Sequence, residues 1–143
     1  SRFRRMREQI VAMKKIWRDE EVSFDGEYVK FGPMWSWPKP LQRPHPPVWL
    51  GGESIHTLRR VVDYCDGWLP RIREPELVLK GIKTLERLAA EAGRAIPISA
   101  FGMPPKLVGQ FSDAGVQRSI MTLPAEGSDE TLRRLDRYAE LMG

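Results

Sequence analysis

A strict alternation of short apolar segments with amphipathic helical segments is the feature that most constrains the fold. Strand-like segments at residues 48–50, 67–69, 96–102 and 118–123 are separated by segments with helical periodicity. Strands separated by helices pair in parallel, and their crossover connections are right-handed. The sequence therefore predicts an α/β protein with about four βα units.

The helical segments between these strands have recognisable ends. Ser54 and Ser128 are typical N-cap residues, and Pro75 suits a first helical turn. Gly93 and Gly115 follow helical segments and are typical C-terminal stops. The predicted helices therefore cover about 54–64, 75–92, 106–114 and 128–142. The residues predicted to face the core are Leu58, Val61, Val62, Cys65, Val78, Ile82, Leu85, Ala89, Ala92, Leu132, Leu135, Ala139 and Met142.

A different pattern precedes the alternation. Apolar residues recur at steps of three and four between residues 2 and 18, which predicts one amphipathic helix. Asp25-Gly26 lies between two alternating segments and suits a type I′ hairpin turn. The proline density between residues 33 and 47 predicts an irregular loop that carries two tryptophans. Residues 22–47 therefore form a hairpin and Pro/Trp-rich excursion within a single domain, 1–143.

Composition excludes several classes of protein. The chain has 143 residues, of which 41% are hydrophobic and 29% charged, as in a globular domain with one core. No apolar run approaches the roughly 20 residues that span a bilayer, and no signal-peptide segment is found, so we expect a cytoplasmic protein without membrane contact. The single Cys65, with only His45 and His56, offers too few soft ligands for zinc, so no metal is expected.

The net charge of +4 is concentrated in the first helical segment. That segment has no interleaved aromatic platforms and no groove-reading motif, so we expect no nucleic-acid partner. An acidic small-molecule partner is compatible with the charge.

The strand at 48–50 runs into Gly51-Gly52-Glu53-Ser54, the first candidate site. A glycine pair lets backbone amides approach a ligand, and the helix that follows favours an anion at its N-terminus. Ser54 could serve the helix or a bound phosphate, whereas a carboxylate at Glu53 disfavours an anion unless it is turned away. The alternative interpretation is an ordinary tight turn into a helix.

Other candidate residues have simpler explanations. Trp68 could stack on a cofactor ring, but packing in the core is the favoured interpretation. Asp66 could hydrogen-bond the turn backbone or take part in chemistry. His45 could approach a substrate, but an exposed linker residue is the favoured interpretation, and we expect His56 to be a surface or capping residue. Two cations, Lys106 and Arg118, lie near strand ends. Isolated cations of this kind are usually solvated, although these two could contact a phosphate or an acidic tail.

Four βα units after an unpaired helix are typical of half of an eightfold TIM barrel. A flavodoxin-like sandwich is the alternative, but short strands with prolines and tryptophans at their C-terminal ends favour a barrel. Half a barrel leaves sheet edges and apolar surface uncovered. We therefore expect completion either by self-association, as a homodimer, or by a missing N-terminal half.

An ordered series of short motifs resembles the bacterial luciferase-like monooxygenase family, and more closely its coenzyme F420-dependent subgroup. The series comprises Arg4-Arg5-Met6, Glu8 through Trp17, Phe24-x-Gly26-Glu27-Tyr28, Pro38-Lys39-Pro40, Pro46-Pro47-Val48, Gly51-Gly52, Asp66-Gly67-Trp68 and Gly115-Val116-Gln117-Arg118. The resemblance covers essentially the whole chain and matches the C-terminal half of the family's (β/α)8 barrel.

The resemblance implies an oxidoreductase that uses F420 or FMN and an organic substrate. It implies that Gly51 and Gly52, and more loosely Glu53 and Ser54, bind the cofactor's phosphate. The family's catalytic side chains come largely from the first half of the barrel, so the resemblance assigns no catalytic residue here. The alternative is a non-catalytic half-barrel that acts as a binding or interaction module.

Overall fold

The computed structural model describes residues 1–142. The chain divides into two compact units, Ser1–Val48 and Trp49–Gly143. The first unit contains helix α1 (Arg2–Arg18) and strands β1 (Glu21–Asp25) and β2 (Lys30–Trp35). The second contains β3 (Trp49–Leu50), α2 (Ile55–Tyr64), β4 (Gly67–Trp68), α3 (Pro75–Glu91), β5 (Ser99–Phe101), α4 (Val108–Asp113), β6 (Arg118–Ile120) and α5 (Ser128–Ala139). Short 3-10 turns lie at Pro105–Leu107 and Glu140–Met142. The assignment of a single domain stays a prediction.

The predicted helix and hairpin of the first unit are both present. α1 buries Ile10 and Ala12, while Phe3 and Met13 on its predicted apolar stripe remain more than a third exposed. β1 and β2 pair in antiparallel fashion, with Glu21 opposite Trp35. The periodicity therefore predicted the helix correctly but overstated the burial of its stripe.

The prediction of a two-residue type I′ turn is wrong. Asp25 pairs with Lys30, so residues 26–29 form a longer loop, and Gly26 does not adopt a positive φ. The carboxylate of Glu8 on α1 instead accepts hydrogen bonds from the loop amides of Glu27 at 3.1 Å, Tyr28 at 2.7 Å and Val29 at 3.1 Å. The Glu8 carboxylate, which is distant in sequence, therefore accepts the hydrogen bonds of loop amides that a tight turn would have paired with its own backbone.

The prediction of an irregular loop from residue 33 is also wrong at its start. β2 continues through Pro33 to Trp35, and the pairing register shifts between Val22 and Phe24. A proline lacks the amide hydrogen of a regular ladder, and an irregular position in an edge strand accommodates it. Beyond the strand, the Nζ of Lys39 donates to the carbonyls of Ile16 at 2.7 Å and Asp19 at 2.6 Å, so this lysine caps the C-terminus of α1.

The second unit has the predicted parallel α/β arrangement. β3 pairs with β4 and β5 pairs with β6, both in parallel. Parallel bridges from Trp68 to Ile98 and from Arg71 to Phe101 connect the two pairs. The strands therefore follow one another in chain order, although β5 and β6 are shorter than the predicted segments.

The core of this unit lies between the short strands and helices α2 to α4. Gly81 on α3 makes room for the Trp68 ring, because a Cβ there would lie 2.7 Å from the ring's Cη2. Cys65 is fully buried, as predicted, whereas Ala92 is exposed at the end of α3 and its predicted burial is wrong. The core cluster comprises Leu58, Val61, Trp68, Ile72, Val78, Ile82, Leu85, Ile98, Ala100, Met103, Phe111 and Val116.

The last helix departs most from prediction. Gly127 occupies the N-cap position of α5, so Ser128 is the first helical residue rather than the cap. Leu132 is 59% exposed and Leu135 43% exposed, and α5 has no buried residue. The predicted burial of this face, Ala139 included, is therefore wrong for residues 1–142, because no described residue covers it. The side chain of Met142 lies outside the described residues.

Candidate functional site

The candidate site lies where two neighbouring parallel strands end. Because β3 and β4 are parallel, the loops that follow them meet at the same edge of the sheet. The first loop carries Gly51 through Ser54, and the second runs from Leu69 to the start of α3. The Leu69 amide donates to the Leu50 carbonyl at 2.9 Å, which holds the two loops together.

Tight local packing disfavours a side chain at either glycine of the pair. A Cβ at Gly51 would lie 3.2 Å from the carbonyl oxygen of Leu69. Gly52 has a φ of +106°, and a Cβ there would lie 3.1 Å from the Thr57 hydroxyl oxygen. Side chains disfavour this left-handed region, so the turn leaves a bare backbone surface of the kind a phosphate needs.

Trp68 packs in the core and also holds the turn. The residue is fully buried, and its Nε1–H donates to the carbonyl of Gly52 at 2.9 Å. The core interpretation of Trp68 is therefore confirmed. Its indole positions the Gly51-Gly52 backbone rather than offering a face to a ligand.

Ser54 is the N-cap of α2, as predicted. Its hydroxyl oxygen accepts from the Thr57 amide at 3.2 Å and lies 3.0 Å from the Thr57 hydroxyl. Among residues 1–142, no protein acceptor pairs with the Ile55 and His56 amides in this first turn. Unpaired first-turn amides, the helix dipole and the bare glycine backbone together suit an anion such as a phosphate.

The carboxylate of Glu53 is engaged by the neighbouring loop. One of its oxygens accepts a hydrogen bond from the Arg71 amide at 3.1 Å. This contact directs the negative charge toward the loop after β4. The binding roles of Gly51, Gly52, Glu53 and Ser54 stay predictions.

Of four further predicted residues, one is half-buried and three are exposed. His45, in the first unit, is half-buried, with its ring 6.3 Å from that of Trp17 and its Nδ1 2.9 Å from the Pro46 carbonyl oxygen. The prediction of an exposed linker histidine is therefore wrong. His56 is exposed on α2, as predicted. Lys106 and Arg118 are also exposed.

Sequence reasoning missed two residues at this edge. Arg71 and Arg73 follow β4 and line a small pocket beside Glu53. Their position directly after a strand's C-terminal end is the signal that could have found them. Over residues 1–142 no helix has the length and apolarity to cross a bilayer, and no group of three or more His, Cys, Asp or Glu side chains is arranged to hold a metal.

These features define an α/β protein with a candidate anion site at the carboxyl edge of parallel strands. The chain belongs to the luciferase-like monooxygenase family, whose model matches residues 1–139. The family resemblance drawn from the sequence motifs is therefore confirmed.

Curated relatives that match the chain include the following two proteins. An uncharacterized protein of Mycobacterium tuberculosis, Rv0953c, is 32% identical over 140 residues, which covers 94% of this chain and 49% of that protein. The FMNH2-dependent dimethylsulfone monooxygenase of Pseudomonas putida is 33% identical over 97 residues, which covers 68% of this chain and 27% of that enzyme. The chain thus spans about half or less of the length of these relatives.

The fold also matches a solved structure. An F420-dependent secondary alcohol dehydrogenase, in complex with an F420–acetone adduct, superposes with a TM-score of 0.57 at 17% identity. The match covers 98% of this chain and 54% of that enzyme. The described α/β fold therefore resembles about half of that enzyme's chain.

Proposed function

We propose that this chain forms the cofactor-phosphate-binding part of a flavin- or F420-dependent oxidoreductase of the luciferase-like type. The observation that carries the proposal is the Gly51-Gly52 turn, where Gly52 has a positive φ and a Cβ at either position would make a tight contact. A curated relative named for FMNH2 and a structural neighbour named for F420 support this choice of cofactors.

The residues of the turn suit a phosphate in three ways. Gly51 and Gly52 expose the backbone, the amides of Ile55 and His56 supply donors, and the Ser54 cap fixes the start of α2. The Trp68 indole holds the turn by donating a hydrogen bond to the Gly52 carbonyl. When bound, the cofactor would supply the redox chemistry, a hydride transfer to or from an organic substrate. The chain's contribution is to bind and orient it.

We further propose that the strands of this chain are half of an eight-stranded barrel. The exposed leucines of α5 support this proposal, because they form an apolar helix face that a complete barrel would cover. The other strands come from a longer chain or from a second copy. We place the assembled enzyme in the cytoplasm.

Titration of the purified protein with FMN and, separately, F420 tests the proposal through cofactor fluorescence. We expect saturable binding at about micromolar Kd, or roughly −8 kcal/mol. The Gly52→Val variant should lose that binding, because its side chain enters the anion surface. Gly109→Ala is the matched control, since a Cβ at Gly109 meets nothing within 4 Å. Absence of binding with both cofactors would instead favour a non-catalytic half-barrel.

A further inference from the structure

A small pocket of the first unit lies at the open end of its hairpin, where β1 begins and β2 ends. It measures about 270 Å³ and is lined by Glu20, Trp35 and Trp37. Trp35 is 74% exposed and Trp37 is 64% exposed, although folded proteins usually bury most of a tryptophan side chain. Two exposed indole rings leave apolar surface in water, which favours a ligand that covers them.

Both tryptophans of this pocket are held by contacts of their own. Trp35 is the last residue of β2, and its backbone is fixed opposite Glu21, the residue that follows Glu20. The Nζ of Lys39, which caps the C-terminus of α1, lies 5.5 Å from the centroid of the Trp37 ring. Strand pairing and the helix cap therefore position the pocket.

The charge beside these rings is negative. Glu20 lies between Asp19 and Glu21 in the sequence, and the Asp19 carboxylate is already paired with Arg18 at 2.6 Å. Within residues 1–142, no lysine, arginine or histidine nitrogen lies within 4.0 Å of a Glu20 carboxylate oxygen. The Glu20 carboxylate can therefore pair with a positively charged ligand.

We propose that Glu20, Trp35 and Trp37 form a binding site for a small quaternary ammonium cation. The face of an indole ring attracts a cation, and Trp37 already has the ammonium of Lys39 near its ring. The pocket is smaller than the roughly 300 Å³ at which pockets for drug-sized ligands begin, so the cation is small. This inference does not depend on the proposed function.

The lining of the pocket favours a methylated ammonium over a primary one. A primary ammonium has three donors to satisfy, and the pocket offers one carboxylate among its lining side chains. A quaternary ammonium has no donor, and its methyl groups can cover the two exposed rings while its charge remains close to Glu20.

Isothermal titration calorimetry of the purified protein with choline tests the site. Neohexyl alcohol, in which a carbon atom replaces the charged nitrogen of choline, is the neutral control ligand. We expect saturable binding of choline and about tenfold weaker binding of the alcohol, because the alcohol loses the ion pair and both cation–π contacts. Absence of saturable choline binding, or equal affinity for the two compounds, would overturn the proposal.

Variants locate the binding at this pocket. Glu20→Gln, Trp35→Ala and Trp37→Ala should each raise the Kd for choline by about threefold, as expected for loss of one exposed ion pair or cation–π contact. Glu21→Gln and Leu41→Ala change exposed residues that do not line the pocket, and should leave the Kd within about twofold of wild type. Glu20→Gln keeps the shape of an exposed side chain, so an unchanged Kd in this variant would contradict the site irrespective of how the tryptophan variants fold.

A choline group can also be presented by a lipid headgroup. Cosedimentation with phosphatidylcholine vesicles distinguishes this source from a free cation. The headgroup carries a phosphate, which the carboxylates of residues 19–21 disfavour, so we expect no cosedimentation. Cosedimentation that is lost in Glu20→Gln would overturn the assignment to a small free cation.

Discussion

The indole Nε1–H of Trp68 donates to the backbone carbonyl of Gly52 at 2.9 Å. This bond connects a fully buried aromatic ring of the second unit to the turn proposed to bind phosphate. The ring itself packs against Gly81 on α3, where a Cβ would lie 2.7 Å from its Cη2. The conformation of the turn therefore depends on how the core packs.

Replacing Trp68 by Phe should destabilise the fold and weaken cofactor binding together. Phenylalanine keeps an aromatic ring but leaves the Gly52 carbonyl without its donor, at a cost of about 1–3 kcal/mol. Urea unfolding and FMN titration measure the two effects. Trp37→Phe is the control, because Trp37 is 64% exposed. A stable variant with wild-type affinity would show that the bond does not position the turn.

Gly52→Ala should cost more than Gly93→Ala, although both glycines have positive φ. A left-handed conformation costs a non-glycine residue roughly 1–2 kcal/mol at either position. At Gly52 the new Cβ would also lie 3.1 Å from the Thr57 hydroxyl, whereas at Gly93 it would meet nothing within 4 Å. Denaturant midpoints should rank wild type first, then Gly93→Ala, then Gly52→Ala. Equal midpoints for the two variants would contradict the packing argument.

Arg94 should contribute to stability by capping a helix to which it does not belong. Its guanidinium donates to the last carbonyls of α2, at Val62 and at Cys65, the latter at 2.7 Å. Arg94→Met keeps the aliphatic stem but removes these donors, and should cost about 2 kcal/mol in the free energy of unfolding. Arg94→Lys should recover part of the loss, since one ammonium replaces the fork. A neutral methionine variant in chemical denaturation would refute the capping role.

Glu8 should make the first unit sensitive to acid. Hydrogen bonds from the Tyr28, Val29 and Glu27 amides, that from Tyr28 foremost, hold the pKa of Glu8 below its ordinary value. A carboxyl with a depressed folded-state pKa stabilises the fold above its unfolded pKa of about 4.3, and this contribution is lost as pH falls through the folded value.

Unfolding monitored between pH 7 and pH 3 checks this behaviour. Glu8→Gln should be less stable than wild type at neutral pH, and the difference should shrink as the solution is acidified. Glu21→Gln, an exposed change on β1, is the matched control. A stability difference for Glu8→Gln that stays constant across this pH range would argue against a charge-dependent role.

Local patterns predicted the helices and their ends with good accuracy. The steps of three and four in α1, Pro75 at the start of α3 and the Ser54 cap are all signals carried by neighbouring residues. The Gly51-Gly52 turn is also a signal carried by neighbouring residues, because it directly follows the apolar segment that forms β3. These features depend on backbone geometry within about one helical turn, which a sequence specifies directly.

Several predictions failed because they required distant partners, and the Ser128 cap failed locally. The Asp25-Gly26 pair favours a tight turn locally, but Glu8, far away in the chain, supplies an acceptor for the amides of a longer loop. Ser128 resembles a cap, yet the helix begins one residue earlier than a serine cap would require. The leucines of α5 have the right spacing for burial, but periodicity cannot say whether anything covers them.

The sequence by itself determined the alternation of strands and helices, the parallel sheet and the glycine turn, because these follow from periodicity and from the special backbone of glycine and proline. Only the tertiary structure decided that Trp68 holds Gly52, that Glu53 turns toward Arg71 and that Arg71 and Arg73 share one pocket. Such contacts join loops that follow different strands. Their geometry is set by how the parallel strands align and how the core packs, and neither is encoded by nearest neighbours along the chain.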